Sequence, residues 1–191
     1  MDNQKYKAYN FLCMVSQPKL SILCRRSEIE ATLDRLSAQI TSDYQDKNPL
    51  LIGILKGSFV FLADLVRRLD FPLEVDFMRL ASYGAGRESS GKVRILSRPW
   101  PPVAGRHVLV VEDVVDTGLT LAVLLAYLSR KKPASLRLCA LADKPQCRTA
   151  PVKIDYVGVS LPDKFLVGYG LDCGERYRNL PEIYALEAGE S

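Results

Sequence analysis

The residues best suited to chemistry fall in one run, Val110-Val111-Glu112-Asp113-Val114-Val115-Asp116-Thr117-Gly118-Leu119-Thr120. Glu112 and Asp113 follow Val108–Val111, an almost continuously apolar segment of the kind that forms a strand covered on both faces of a parallel sheet. In open α/β sheets, ligands bind at the C-terminal edge of such strands. The next turn offers a third carboxylate, a hydroxyl, a glycine and, at the start of a helix, a second hydroxyl. Backbone N–H groups in a turn of this kind converge on one anion, aided by the positive end of the helix dipole. Taken singly, the two acids fit a solvated strand end and Asp116-Thr117-Gly118 fits a plain helix cap. Joined in one run, they point to a phosphorylated sugar, with carboxylates on its ribose hydroxyls and the turn on its phosphate.

Elements that position such a site are legible on either side. Ser27-Glu28-Ile29-Glu30 reads as a capping box, opening a helix whose Ile29, Leu33, Leu36, Ile40 and Tyr44 share one face; Asn48-Pro49 stops it. Leu50–Leu55 is a short apolar run that predicts a buried strand. Lys56-Gly57-Ser58 then turns the chain, with Ser58 as cap of a helix carrying Phe59, Leu62, Leu65, Val66 and Leu69 inward. Val75–Tyr83 and Val93–Leu96 read as strands flanking a glycine-rich loop, Gly84–Gly91. Leu119–Arg130 predicts a helix closed by Pro133, and Leu136–Leu141, Tyr156–Val159 and Phe165–Tyr169 predict further strands. Strands alternating with helices mean an α/β domain with a mainly parallel sheet.

Composition narrows the class. At 191 residues, 48% hydrophobic and 25% charged, the chain fits a single globular domain that needs no staples. The net charge of +4 is too small to argue for nucleic acid and suits an anionic small molecule equally well. Five scattered cysteines without a C-x-x-C suggest reduced thiols in a cytoplasmic protein. His107 is the only histidine, which removes His-rich metal sites, and a lone His without partners reads as structural. The longest apolar stretch, Leu121–Leu128, is too short to span a bilayer, and no signal peptide is visible. No G-x-x-x-x-G-K-[ST] is present, and Gly168-x-Gly170-x-x-x-Gly174 misses the dinucleotide spacing.

The eleven-residue run resembles the signature of type I phosphoribosyltransferases: two acids, a short apolar pair, then D-T-G-x-T. Three further blocks are similar to the hypoxanthine-guanine phosphoribosyltransferases in particular. They are Gly53–Ser58, Ser82-Tyr83-Gly84, and Pro162–Asp172 with Glu175, Arg178, Asn179, Leu180 and Pro181 after it. The resemblance covers roughly residues 20–186, with the blocks in family order, and leaves the first twenty residues outside. It implies the type I phosphoribosyltransferase fold: a twisted, mainly parallel sheet flanked by helices, with a small hood from the chain ends.

The resemblance also implies roles. Glu112 and Asp113 match the pair that holds the ribose hydroxyls and neighbours a Mg²⁺, and Asp116 matches the general base facing purine N7. Thr117, Gly118, Leu119 and Thr120 match the 5′-phosphate loop. Leu119 departs from the basic residue many members carry there, which implies weaker phosphate affinity only if the side chain matters. Lys56 and Gly57 match the pyrophosphate loop, with a non-proline cis peptide at Leu55–Lys56, and Arg178 matches a pyrophosphate contact. Lys144 matches the lysine reaching purine O6, Phe165 the ring stacking on the base, and Leu166 a backbone contact to it. Asp172 matches a ligand of a second Mg²⁺; Ser82 and Tyr83 open the lid.

The implied reaction is purine salvage. Hypoxanthine or guanine and phosphoribosyl pyrophosphate give the nucleoside monophosphate and pyrophosphate, with Mg²⁺ as cofactor, in a cytoplasmic homodimer or homotetramer that needs neither nucleic acid nor membrane. The alternatives are a type I phosphoribosyltransferase acting on xanthine or a pyrimidine, and a nucleic-acid-binding regulator that kept the fold. On the residues alone, Lys56 also fits a solvated strand end, Phe165 a core ring, Lys144 an exposed pair with Asp143, and Asp172 and Arg178 a surface salt bridge.

Overall fold

The structure, a computed structural model, describes residues 18–82, 93–95 and 102–187. The chain forms β1 (Leu20–Cys24), α1 (Arg26–Tyr44), β2 (Leu50–Leu55), α2 (Phe59–Val66), β3 (Glu74–Ser82) and β4 (Val93–Ile95). It continues with β5 (His107–Val115), α3 (Leu119–Ser129), β6 (Ser135–Asp143), β7 (Tyr156–Ser160), β8 (Leu166–Val167) and β9 (Ile183–Leu186).

Six strands make the main sheet in the order β4-β3-β2-β5-β6-β7. Five of them run parallel, and β4 is antiparallel to β3 at the edge. The remaining strands, β1-β9-β8, form a small antiparallel sheet, which is the hood. The chain passes from β2 to β3 on one side and later places β5 on the other side of β2. Strand order therefore reverses between β2 and β5, and the crevice beyond their C-terminal ends is the expected ligand position.

Side-chain alternation explains the layers. Leu51, Leu109, Val111, Cys139 and Leu141 point to one face, where they pack with Ile29, Leu33, Leu36 and Ile40 of α1 and Phe61, Leu62 and Leu65 of α2. Ile52, Ile54, Val108, Val110 and Leu138 point to the other, where Leu121, Leu124 and Leu128 of α3 cover them. A strand buried on both faces has no polar side to show, hence the unbroken apolar runs.

Several local expectations shift. Helix α1 begins at Arg26, before Ser27, and Glu28 reaches back to accept the Arg25 backbone N–H at 2.7 Å. Ser27 is thus inside the first turn. Ser58 does precede α2, but its hydroxyl donates to the Ile54 carbonyl at 2.7 Å instead of capping. Helix α2 ends at Val66, yet Leu69 beyond it is still buried. Phe165–Tyr169 contributes only Leu166–Val167 as strand, and to the hood instead of the main sheet. Cys24, Cys139 and Cys147 are free, whereas Cys173 is in a disulfide, which corrects the expectation of reduced thiols throughout. His107 is structural as expected: its Nδ1 lies 2.8 Å from Ser135 Oγ, and its ring meets Tyr44 edge-on.

Candidate active site

The crevice at the β2/β5 switch is built by two chain turns pressed together. The Leu55–Lys56 peptide is cis, as the resemblance implied, and Gly57 follows it. A Cβ on Gly57 would lie 1.5 Å from Asp113 Oδ2, so only hydrogen fits between this loop and the acidic strand end. Asp113 is itself fixed, because its Oδ1 accepts the Val114 N–H at 2.8 Å.

Glu112 and Asp113 share this confined space. Burial, and then the Asp113 charge beside it, push the Glu112 carboxyl well above the usual carboxylate range. Burial raises Asp113 as well, against the lowering effect of its hydrogen bonds from Glu112 and Val114. Two crowded carboxylates of this kind gain from a nearby cation. Among the described residues no group of three or more His, Cys, Asp or Glu side chains gathers to hold a metal. The Glu112 and Asp113 carboxylates are donors of the kind that hold Mg²⁺, which takes one or two carboxylates and is completed by substrate phosphates and water.

Glu112, Asp116, Thr117, Gly118 and Thr120 line one cavity of about 260 Å³, walled by Leu55 and Leu80. Gly118 has φ +80 and precedes α3, a left-handed conformation that glycine adopts without a Cβ penalty. The turn is held from outside. Thr149 and Ala150 both donate backbone N–H groups to the Thr117 carbonyl at 3.0 Å. Arg148 donates to the Asp116 carbonyl at 2.9 Å and pairs with Asp143. Leu119 is 48% exposed, so the side chain at this departure from the family pattern lies at the surface.

A second group gathers where β6 meets the hood. The Lys144 N–H bonds the Val115 carbonyl at 3.0 Å, locking the ends of β5 and β6 together. Lys144 is 4% exposed, and its Nζ donates to the Lys164 carbonyl at 2.7 Å. Phe165 and Leu166 are buried immediately after. Phe165 packs in the hood with Val167, Cys173 and Leu186, while Leu166 sits on β8 in register with Ala185. Cys147 bonds toward Asp116 and Asp163; burial and then those carboxylates push its thiol up to about 11.

A third group is cationic. Lys56 Nζ lies 2.7 Å from Glu175 Oε1. Arg178 pairs with Asp172 at 2.8 Å and Glu175 at 3.1 Å, and donates to the Gly170 carbonyl at 2.8 Å. Asp172 also accepts the Glu175 N–H at 2.9 Å. Gly170 has φ +97, and a Cβ there would come 2.3 Å from the Gly57 carbonyl. The hood loop thus rests directly on the loop after β2. Tyr169 anchors it by donating to Asp64 at 2.6 Å, a bond that, with burial, holds the phenol proton on.

The fold therefore brings the candidates into three adjoining groups around one crevice. Ser82 ends β3; Tyr83 and the Gly84–Gly91 loop lie outside the described residues. Sequence reasoning missed Arg148 and Cys147, which look like part of a surface loop until β6 delivers them beside Asp116. It also assigned no role to Glu175.

A phosphoribosyl transferase domain model matches residues 22–173. The hypoxanthine-guanine phosphoribosyltransferase of Bacillus subtilis is 46% identical over 166 residues, 87% of this chain and 92% of that protein. Its counterpart in Aquifex aeolicus is 45% identical over 170 residues, 88% and 96% of the two chains. A crystal structure of a hypoxanthine-guanine phosphoribosyltransferase from Bacillus anthracis superposes with a TM-score of 0.84 at 40% identity, covering 90% of this chain and all of that one. Family order of the motifs, the parallel sheet with its hood and these likenesses agree: the chain belongs to the phosphoribosyltransferase family, in its hypoxanthine-guanine phosphoribosyltransferase branch.

Proposed function

We propose that this protein transfers the 5-phosphoribosyl group from phosphoribosyl pyrophosphate to hypoxanthine or guanine, releasing pyrophosphate. The observation that carries the reading is the cavity lined by Glu112, Asp116, Thr117, Gly118 and Thr120, beside the loop whose Lys56 shares Glu175 with Arg178 and the strand end where buried Lys144 bonds Val115. One anion-binding turn, one acidic pair and one buried donor match the three parts of such a substrate pair.

The roles follow from charge. Breaking the C1′–O bond leaves positive charge on the ribose and negative charge on the departing pyrophosphate, so preorganised opposite charges lower the barrier. Lys56 and Arg178 neutralise the leaving group, while Glu112 and Asp113 hold the ribose hydroxyls beside the cationic sugar. Backbone N–H groups of Thr117–Thr120 take the 5′-phosphate. Asp116 receives a proton from the purine, Phe165 stacks on the ring, Leu166 meets it through the backbone, and Lys144 donates to the C6 oxygen. Mg²⁺, held by Glu112 and Asp113 and on the hood side by Asp172, would add charge neutralisation at the pyrophosphate oxygens.

The same proposal includes a homodimer or homotetramer. Phe59 of α2 and Val75 and Phe77 of β3 are each more than 40% exposed, an apolar surface that a second copy would cover. No helix among the described residues is long and apolar enough to cross a membrane.

The test is turnover. Purified protein, Mg²⁺ and phosphoribosyl pyrophosphate are mixed with hypoxanthine, guanine, xanthine, adenine or a pyrimidine, and monophosphate is measured. Formation with a 6-oxopurine supports the reading. Turnover of a pyrimidine alone would place the protein elsewhere in the family, and no turnover with any base would favour a regulator.

A further inference from the structure

The hood loop holds a carboxylate that the proposed chemistry does not use. Glu175 bonds both cations assigned to the leaving group, Lys56 through Oε1 at 2.7 Å and Arg178 through Oε2 at 3.1 Å. Its backbone is fixed, at φ +66 with its N–H on Asp172 Oδ2. The structure assigns Glu175 as a competing counter-ion: it sets how tightly the site holds pyrophosphate by occupying the two side chains that pyrophosphate must recruit.

The argument is electrostatic and rests on the reading under Proposed function. A carboxylate bridging a lysine and an arginine cancels much of their field toward a third anion, and it repels that anion directly. Lysine has three N–H donors and arginine five, so pyrophosphate does not need every donor to be freed. It does have to share them with a fixed negative charge. A site that must release pyrophosphate at the end of each turnover gains from this, because uniformly tight binding of the group would slow product release without aiding the chemical step. Glu175 is thus a positioning and affinity-setting residue that acts through Lys56 and Arg178.

The experiment is direct binding of Mg²⁺-pyrophosphate to the whole protein by titration calorimetry, alongside steady-state kinetics. Glu175→Gln keeps size and hydrogen-bonding reach but removes the charge. Two partly exposed ion pairs are each modest, and together they predict about three- to tenfold tighter pyrophosphate binding. The KM for phosphoribosyl pyrophosphate falls in the same direction, kcat falls where release limits turnover, and the KM for hypoxanthine stays put. Glu175→Asp, which keeps the charge, stays close to the parent protein. Unchanged pyrophosphate affinity in Glu175→Gln, or weaker binding, overturns the assignment while parent turnover still supports the proposed reaction. A parent protein that neither binds pyrophosphate nor turns over brings down both.

Discussion

Replacing Gly57 by alanine tests the geometry of the crevice most directly. The added Cβ would stand 1.5 Å from Asp113 Oδ2 and 2.6 Å from its carboxyl carbon. Restoring ordinary contact at about 3.4 Å requires the two groups to part by about 2 Å. Asp113 resists, since turning its carboxylate away gives up the Val114 N–H, and leaving that donor unsatisfied costs about 1–3 kcal/mol. The loop resists as well, because the Gly57 carbonyl is packed beneath Gly170. Overpacking of this kind typically costs about 1–3 kcal/mol, and for a domain of this size that lowers Tm by roughly 2–12 °C at 2–4 °C per kcal/mol. The catalytic effect should be larger, because even about 1 Å of misplacement can cost about 10²-fold. Calorimetry should therefore show a folded, somewhat less stable protein, with kcat/KM for phosphoribosyl pyrophosphate down by about 10²-fold or more. An alanine variant with parental Tm and parental kcat/KM would refute the contact between the loop and the acidic strand end.

Other outcomes follow from the same geometry. Asp116→Asn keeps the shape and removes the base, so kcat should fall by about 10²–10⁴-fold with sugar-phosphate affinity nearly kept; an unchanged kcat would remove Asp116 from the chemistry. Lys144 can only donate, so the parent enzyme should prefer a 6-oxopurine over adenine by about 10⁴-fold, and Lys144→Ala should erase that preference in competition assays. Arg148→Leu removes the bonds to the Asp116 carbonyl and Asp143, which should raise the KM for phosphoribosyl pyrophosphate about tenfold or more, as expected when a bond to a charged group worth about 1.5–3 kcal/mol is lost; an unchanged KM would show the turn holds itself. Excess chelator should abolish turnover and added Mg²⁺ restore it, whereas full activity in chelator would remove the metal from the acidic pair.

How far the sequence reveals this molecule depends on how local each signal is. Strand β2 matches its apolar run residue for residue, and α3 falls within one residue of its expected end, because burial on both faces writes itself into consecutive side chains. The acidic pair and the Asp-Thr-Gly turn are equally local. Strands β1 and β9 went unread. Each is short, β1 with mostly half-buried positions and β9 with only four residues, and each is held as a strand by partners distant in the chain, as in the pairing of Leu20 with Leu186. Arg148 was hidden for a related reason. Its role is set by the parallel register of β5 and β6, in which Val115 lies opposite Asp143, and no spacing along the chain encodes that register. The roles of Phe165 and Lys144 came from family likeness, since their residue types fit core and surface positions just as well.

The hood carries a further consequence for the order in which this protein is assembled. Strand β8, which holds Leu166, is pinned by β9, and β9 is closed on its other edge by β1. The half of the crevice that would grip the sugar phosphate draws on β2, β3, β5, α3 and the loop after β6. The half that would recognise the base waits for Ile183–Leu186 to find β1, which precedes every strand of the main sheet. Contacts that span so much chain pay their loop-closure entropy late. On the ribosome, the parallel sheet can therefore settle while the base pocket is still unmade. On the function proposed above, base selectivity would be the last property to form and, by the same logic, the first lost when the hood frays.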